Sequence, residues 1–246
     1  MFAFDSALIF IILVVLIAST IRSAFGFGDA LIAMPLLAFF LNMKTAVPVV
    51  AFIGFSISII ILFRHWRAAY IKGLWILILF CILGIPIGLL FLENSDDKLV
   101  KIILSVIIIF FSTINLIKPN FLELKSNKFV WLFGLVSGIL GGAYNTNGPP
   151  VIIYGKLKRW EPKNFRAILQ TVFLPTNLFI IIGQGSAGFW TGDVLIYFLI
   201  SIPVILVGTV LGGLINKKLS KEKFVKFVDI LLIIIGLVLF VNTVLK

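Results

Sequence analysis

Four stretches of this chain, Leu74–Leu92, Ile102–Ile117, Val194–Ile215 and Val228–Val241, run apolar with at most one ionisable residue each. In hydrocarbon a backbone must satisfy its own N–H and C=O groups, so apolar runs of about 20 residues are bilayer-crossing helices. The remainder offers no alternative, because 61% of the 246 residues are hydrophobic and only 13% are charged. A soluble domain of this size is roughly half apolar and a quarter charged, and here too little polar surface exists to wet a globule. The chain therefore reads as an all-α polytopic membrane protein of the cell membrane, with no separate soluble domain. Its net charge of +11 does not point to nucleic acid, since the basic residues sit in short loops between apolar runs and orient the chain in the bilayer. Cys81 is the one cysteine and lies within an apolar run, which excludes a disulfide framework and a thiolate metal site. Ser6–Phe25 lacks a basic leading region and a small-residue cleavage site, so it reads as a first membrane segment and not as a signal peptide.

Two interruptions stand at matching places in the two halves. Gly26-Phe-Gly-Asp-Ala-Leu-Ile-Ala-Met-Pro35 and Asn145-Thr-Asn-Gly-Pro-Pro-Val-Ile-Ile-Tyr154 each put flexible or helix-breaking residues before a short apolar run. When Gly26 is set on Asn145, Lys44 falls on Lys163 and Gly73 on Gly192. With a few extra residues in the second copy, Asp97–Lys101 falls on Glu222–Lys226. Repeats of this kind define an architecture. Each copy predicts a long segment (Ser6–Phe25; Phe129–Gly142), a break, and a short segment (Leu31–Leu41; Pro150–Leu157). Three fuller spans follow: Ala46–Phe63, Gly73–Leu92 and Lys98–Ile117, then Ala167–Ala187, Asp193–Ile215 and Phe224–Val244. A helix the length of Leu31–Leu41 covers about 16 Å, half a hydrocarbon core, so each break and short segment reads as a re-entrant hairpin. The expectation is 8–10 membrane segments in two repeats, residues 1–118 and 129–246, joined by a linker at 119–128.

Charge sets the orientation. Arg64-His65-Trp66-Arg67 and Lys72 follow the second element of the first copy, whereas the equivalent loop Gly183–Gly192 has no Lys or Arg. One loop later the bias reverses, with Glu93, Asp96 and Asp97 against Lys217, Lys218, Lys221 and Lys223. The loop after the break reverses too: Lys44 stands alone against Lys156, Lys158, Arg159, Lys163 and Arg166. The positive-inside rule then places the copies upside down relative to each other, with the linker cytoplasmic and both termini extracytoplasmic.

An inverted repeat sets the two breaks opposite each other, where such transporters hold their substrate. Each break opens a short helix whose first N–H groups are unsatisfied and carry the positive end of the dipole. Pro149 and Pro150 fit a first turn, where no donor is needed. Converging N-termini make an anion site largely from backbone. Gly26, Gly28 and Gly148 allow close approach, and Asn145, Thr146 and Asn147 add amide and hydroxyl groups. The alternative is that the glycines serve helix packing alone, but an Asn-Thr-Asn run is expensive to bury without partners. Gln170, Asn177 and Gln184 share one face of a helix, near Thr171 and Thr176, and Ser56 and Ser58 fall opposite Pro175 and Asn177. A polar stripe inside a membrane faces protein or water.

Arg22 supplies a fixed positive charge for an anion, and Asp29 is its partner or a proton carrier; a purely structural ion pair is the competing reading. Asp229, one turn into the last span, is a second proton-coupling candidate. His65, Trp66 and Arg67 read as an interfacial belt. With no Ser–His–Asp set, no HExxH and no paired cysteines, neither an enzyme nor a cofactor or metal is indicated.

The stretch Gly26–Leu37 resembles the glycine-rich motif, ending Pro-Leu-Leu, of the sulfite exporter TauE/SafE family. Ser137-Gly-Ile-Leu-Gly-Gly-Ala-Tyr-Asn-Thr-Asn-Gly-Pro-Pro150 is similar to that family's second motif, which ends Gly-Pro-Pro. The resemblance covers essentially the whole chain. It implies a secondary transporter exporting sulfite or an organosulfonate such as a taurine-derived compound or sulfoacetate, coupled to protons. An anion or small-solute channel, or a carrier of another organic anion on the same scaffold, is the alternative. The sequence departs from the family pattern at Asp29, where a glycine is usual, and at Asn145 and Asn147, which replace glycines. Those extra polar groups point to a polar or zwitterionic small solute. The oligomeric state is not legible.

Overall fold

The computed structural model describes residues 2–65, 73–117, 126–161, 164–215 and 221–245. Among them stand ten α-helices and no strand: α1 Phe2–Phe25, α2 Asp29–Leu37, α3 Met43–His65, α4 Trp75–Asn94, α5 Asp97–Ile117, α6 Val130–Tyr144, α7 Gly148–Leu157, α8 Phe165–Ser186, α9 Gly192–Ile215 and α10 Lys221–Val244. Trp66, Arg67, Lys72, Lys163, Lys217, Lys218 and most of the expected linker lie outside the described residues, as does the side chain of His65. Helices α1, α3, α4, α5, α8 and α9 are long and apolar enough to cross a membrane, and α6 and the part of α10 from Asp229 onward are shorter apolar helices. The protein is multi-pass. Large apolar side chains such as Phe110, Leu199 and Leu214 are exposed on its outside, as a lipid-facing surface requires.

Element boundaries follow local chemistry. Helix α1 ends where Gly26 takes a left-handed φ of 89° and Gly28 one of 101°, conformations that glycine adopts freely. Helix α6 continues two residues past the expected Gly142 and ends on Asn145 at φ 53°, Asn being the other residue that tolerates this cap. Helix α3 starts at Met43, ahead of the expected Ala46, because Asn42 caps it: the Thr45 N–H donates to Asn42 Oδ1 at 2.8 Å. Asp97 adds a second acceptor for that turn, taking the Met43 N–H at 2.6 Å.

Each short helix folds back along its predecessor. Helix α2 lies antiparallel to α1, with Gly28 against Ile21 and the Phe40 ring 4.3 Å from that of Phe10. Helix α7 lies antiparallel to α6, where Ser137 Oγ donates to the Asn147 carbonyl at 2.7 Å and the Tyr154 ring lies tilted against that of Phe133 with centroids 5.5 Å apart. Each break with its short helix is thus one arm of a helical hairpin.

The longer helices pair across the halves: α1 with α9, α4 with α6, α3 with α8 and α5 with α10. Exchanging the first five helices for the second five leaves this set unchanged. Small residues make the two parallel pairs. Gly84 faces Gly138 and Gly88 faces Gly142 along α4 and α6, while Gly208 and Gly212 of α9 rest on Ser19 and Ser23 of α1. A Cβ on Gly134 would stand 2.6 Å from the Leu77 carbonyl oxygen, and one on Gly88 2.7 Å from the Ala143 nitrogen. Small residues four apart let membrane helices approach until backbones touch. The other two pairs run antiparallel. Gly54 of α3 lies by Asn177 of α8, and Phe52, earlier in α3, meets Trp190, beyond the end of α8, at 5.5 Å. Asn115, late in α5, reaches Asp229, early in α10, at 3.4 Å, and Ile109 meets Gly236.

Candidate functional site

The two breaks meet. Gly28 and Asp29 from the first, and Asn145, Thr146, Asn147, Gly148 and Pro149 from the second, line one cavity of about 10 Å³ together with Arg22, Ile152 and Phe173. That volume holds about one water. Helix α2 starts behind Gly28 and α7 behind Asn147, and at neither start does a side chain cap the helix. The first N–H groups of α2, and the Gly148 N–H of α7, where Pro149 and Pro150 carry none, are left without a side-chain cap at the positive ends of the two dipoles. Pro149 sits within the first turn of α7, where its missing donor is not needed.

Arg22 forms the charged wall. It is 3% exposed. Nη1 donates to Asp29 Oδ2 at 2.5 Å, and Nη2 donates to Ser58 Oγ at 2.5 Å and to Gln170 Oε1 at 3.2 Å. Its guanidinium lies 5.2 Å from the centre of the Phe173 ring, within cation–π range. The break in α1 leaves carbonyls without intrahelical partners, and α8 supplies donors for them. Gln170 Nε2 donates to the Gly26 carbonyl at 2.8 Å, and Arg166 donates to the Ser23 carbonyl. Gln170 thus holds both the charge and the bend beside it.

The opposite wall is neutral and polar. Asn147 Nδ2 donates to Thr176 Oγ1 at 3.0 Å and to Asn177 Oδ1 at 3.3 Å. Asn145 Oδ1, Asn177 Nδ2 and Arg22 Nε are buried and have no hydrogen-bond partner. Groups left so in a buried place are expensive unless something else meets them.

Gly54 was missed in the sequence. A Cβ there would stand 3.1 Å from Arg22 Nη1, 3.2 Å from Asp29 Oδ2 and 3.3 Å from Asn177 Nδ2. Its missing side chain is the space on which those three atoms converge. Lying one turn before Ser58 on the same face of α3, it carried a weak signal that an interior helix glycine normally gives to packing. Phe173 was missed as well.

Two expected residues lie elsewhere. Asp229 accepts from Asn115 Nδ2, while Asn115 Oδ1 accepts from Lys156 Nζ at 3.1 Å, a cluster that shares no residue with the cavity lining. Gln184 is fully buried with neither amide atom partnered, two turns beyond Asn177 on α8. A larger hollow of about 340 Å³ opens at the far end of α2, between Ala38, Phe39, Asp97, Lys98, Lys101 and Thr243.

The family model for the sulfite exporter TauE/SafE matches residues 11–239, which include both breaks and part or all of every helix. Over 151 residues the chain is 26% identical to a protein of Cupriavidus necator described as a probable sulfite/organosulfonate exporter TauE. That similarity takes in 60% of this chain and 57% of the relative, little more than half of the relative's length. No solved structure matches the chain.

Proposed function

The chain belongs to the sulfite exporter TauE/SafE family, and on that premise we propose that it is a secondary transporter for a small sulfur-containing anion, sulfite or an organosulfonate such as taurine or sulfoacetate. The observation that carries this reading is the meeting of both breaks at one cavity walled by Arg22. Two uncapped helix N-termini and a guanidinium favour negative charge, and the amides of Asn145 and Asn147 suit a second, polar end of a zwitterion.

Transport proceeds by alternating access between two inverted repeats in the cell membrane. Equivalent helices α3 and α8 passing antiparallel, and α5 and α10 likewise, support that symmetry. The linker at 119–128 is cytoplasmic and the termini extracytoplasmic, by the charge bias of the loops. A cavity with room for about one water supports a carrier over an open channel. Export is coupled to protons through Asp29, with Asp229 as a second carrier site.

Thermal shift of the purified protein against sulfite, sulfate, thiosulfate, taurine, sulfoacetate and simple carboxylates tests the substrate class. A ligand at a hundred times its Kd adds about 2.7 kcal/mol of stability, and sulfite or a sulfonate is expected to give the largest rise. Stabilisation by carboxylates alone overturns the sulfur-anion reading. Asn147→Leu removes the amide that spans Thr176 and Asn177 and is expected to abolish the ligand-induced shift while folded yield stays intact. Unchanged affinity in that variant places the site elsewhere.

A further inference from the structure

Arg22 is already occupied. Its Nη1 is bound by Asp29 Oδ2 at 2.5 Å, so an anion arriving at this charge meets a carboxylate in its place. We infer that Asp29 is a tethered internal anion: its carboxylate sits in the closed protein on the seat that a substrate oxyanion takes, and substrate binds by displacing it. This rests on the break-to-break site proposed above and specifies how that site is kept filled when empty of substrate.

The surroundings of that oxygen are those of an oxyanion seat. Arg22 Nη1, Asp29 Oδ2 and Asn177 Nδ2 lie 3.1, 3.2 and 3.3 Å from the point where a Gly54 Cβ would stand. Asn177 is 1% exposed, and its Nδ2 has no partner in the protein. A buried donor that faces the same small space as an anionic oxygen, unused by the protein itself, is available to another oxygen at that place. Arg22 Nε is a second unused, buried donor on the same cation. The remaining cavity of about 10 Å³ admits a water and no oxyanion, so the seat is free only when Asp29 leaves it.

Asp29 is also mounted to leave. It is the first residue of α2, behind Gly28 at φ 101°, a backbone conformation that glycine enters and leaves with little steric penalty. Displacing the carboxylate therefore moves the start of the re-entrant helix. Exchange at Arg22 keeps negative charge beside the buried cation at each stage, so the guanidinium is never left uncompensated. Substrate arrival and movement of the hairpin are thereby one event.

A seat held by an internal competitor lowers apparent affinity in proportion to the time it is occupied. Asp29→Asn keeps the shape and removes the charge. It is expected to bind sulfite about tenfold more tightly than the wild type, and to melt at lower temperature without sulfite but recover when sulfite is added. Asp29→Glu keeps a tethered charge and is expected to bind no more tightly than the wild type. An unchanged or weaker sulfite Kd in Asp29→Asn, by titration calorimetry, overturns the inference. So does a variant that fails to fold at every sulfite concentration, because sulfite then cannot replace the carboxylate. The arms separate the two claims: if Asn147→Leu loses sulfite while Asp29→Asn does not gain it, the site stands and the tethered anion falls. If Asn147→Leu binds sulfite like the wild type, the site itself is wrong.

Discussion

Arg22→Gln is expected to abolish transport and to destabilise the protein by about 3–5 kcal/mol, the range for removing one partner of a buried ion pair. The guanidinium ties α1 to Asp29 of α2, Ser58 of α3 and Gln170 of α8, so four helices lose a shared partner at once. Asp29, 4% exposed, is left as a buried charge, and the cavity loses its only full positive charge among the described residues that line it. Lysine does not rescue the variant. One ammonium on a flexible stem cannot hold Asp29 on one side and Ser58 with Gln170 on the other, as the planar fork does. Sulfite flux into proteoliposomes and thermal unfolding in detergent read the two effects separately. Wild-type flux in Arg22→Gln contradicts a role for this charge in the site.

Gly138→Leu is expected to prevent recovery of folded protein. Its Cβ would run into the Cys81 carbonyl oxygen, with the Cys81 carbonyl carbon at 2.8 Å and the Gly84 Cα at 2.9 Å. Every one of these atoms is backbone, so no rotamer change relieves the overlap, and α4 and α6 must part. Overpacking in adaptable cores typically takes about 1–3 kcal/mol. Here the loss exceeds that, because α6 carries Asn145 and Asn147 into the site and its displacement undoes the second break as well. Gly192→Ala is the control, since a Cβ there meets nothing within 4 Å. Size-exclusion profiles in detergent distinguish the two, and a monodisperse Gly138→Leu protein contradicts the packing argument.

What was legible in the sequence was whatever is written in local chemistry. Spans showed as apolar runs, and the breaks showed because Gly26, Gly28 and the Asn145–Pro150 stretch cannot continue a helix. The ends of the short helices were less legible: Leu31–Leu41 was expected where α2 runs Asp29–Leu37, because past Leu37 the chain tightens into a turn in which the Phe39 and Phe40 N–H groups donate to the Leu36 and Leu37 carbonyls. Charge reversal predicts that the breaks face each other, and in the structure they line one cavity. Tertiary partners were not legible. Gly54 looks like any glycine in an apolar helix until α1, α2 and α8 bring Arg22, Asp29 and Asn177 onto it. Asp229 drew attention through its depth in an apolar run, but its neighbours come from α5 and α7, and no spacing within α10 encodes them. Gln184 shares the face of Gln170 and Asn177 by period alone, and that period says nothing about where along α8 the breaks converge.

The central claim is that both breaks build a single anion site. Selenite has the shape and charge of sulfite with a heavier central atom, so anomalous diffraction from crystals of the protein soaked in it locates the anion directly. The account predicts one selenium peak between the starts of α2 and α7, within hydrogen-bonding reach of Arg22 and Asn177, with Asp29 moved off the guanidinium. Selenium found instead in the open hollow beside Lys98 and Lys101, with the Arg22–Asp29 pair intact, contradicts it.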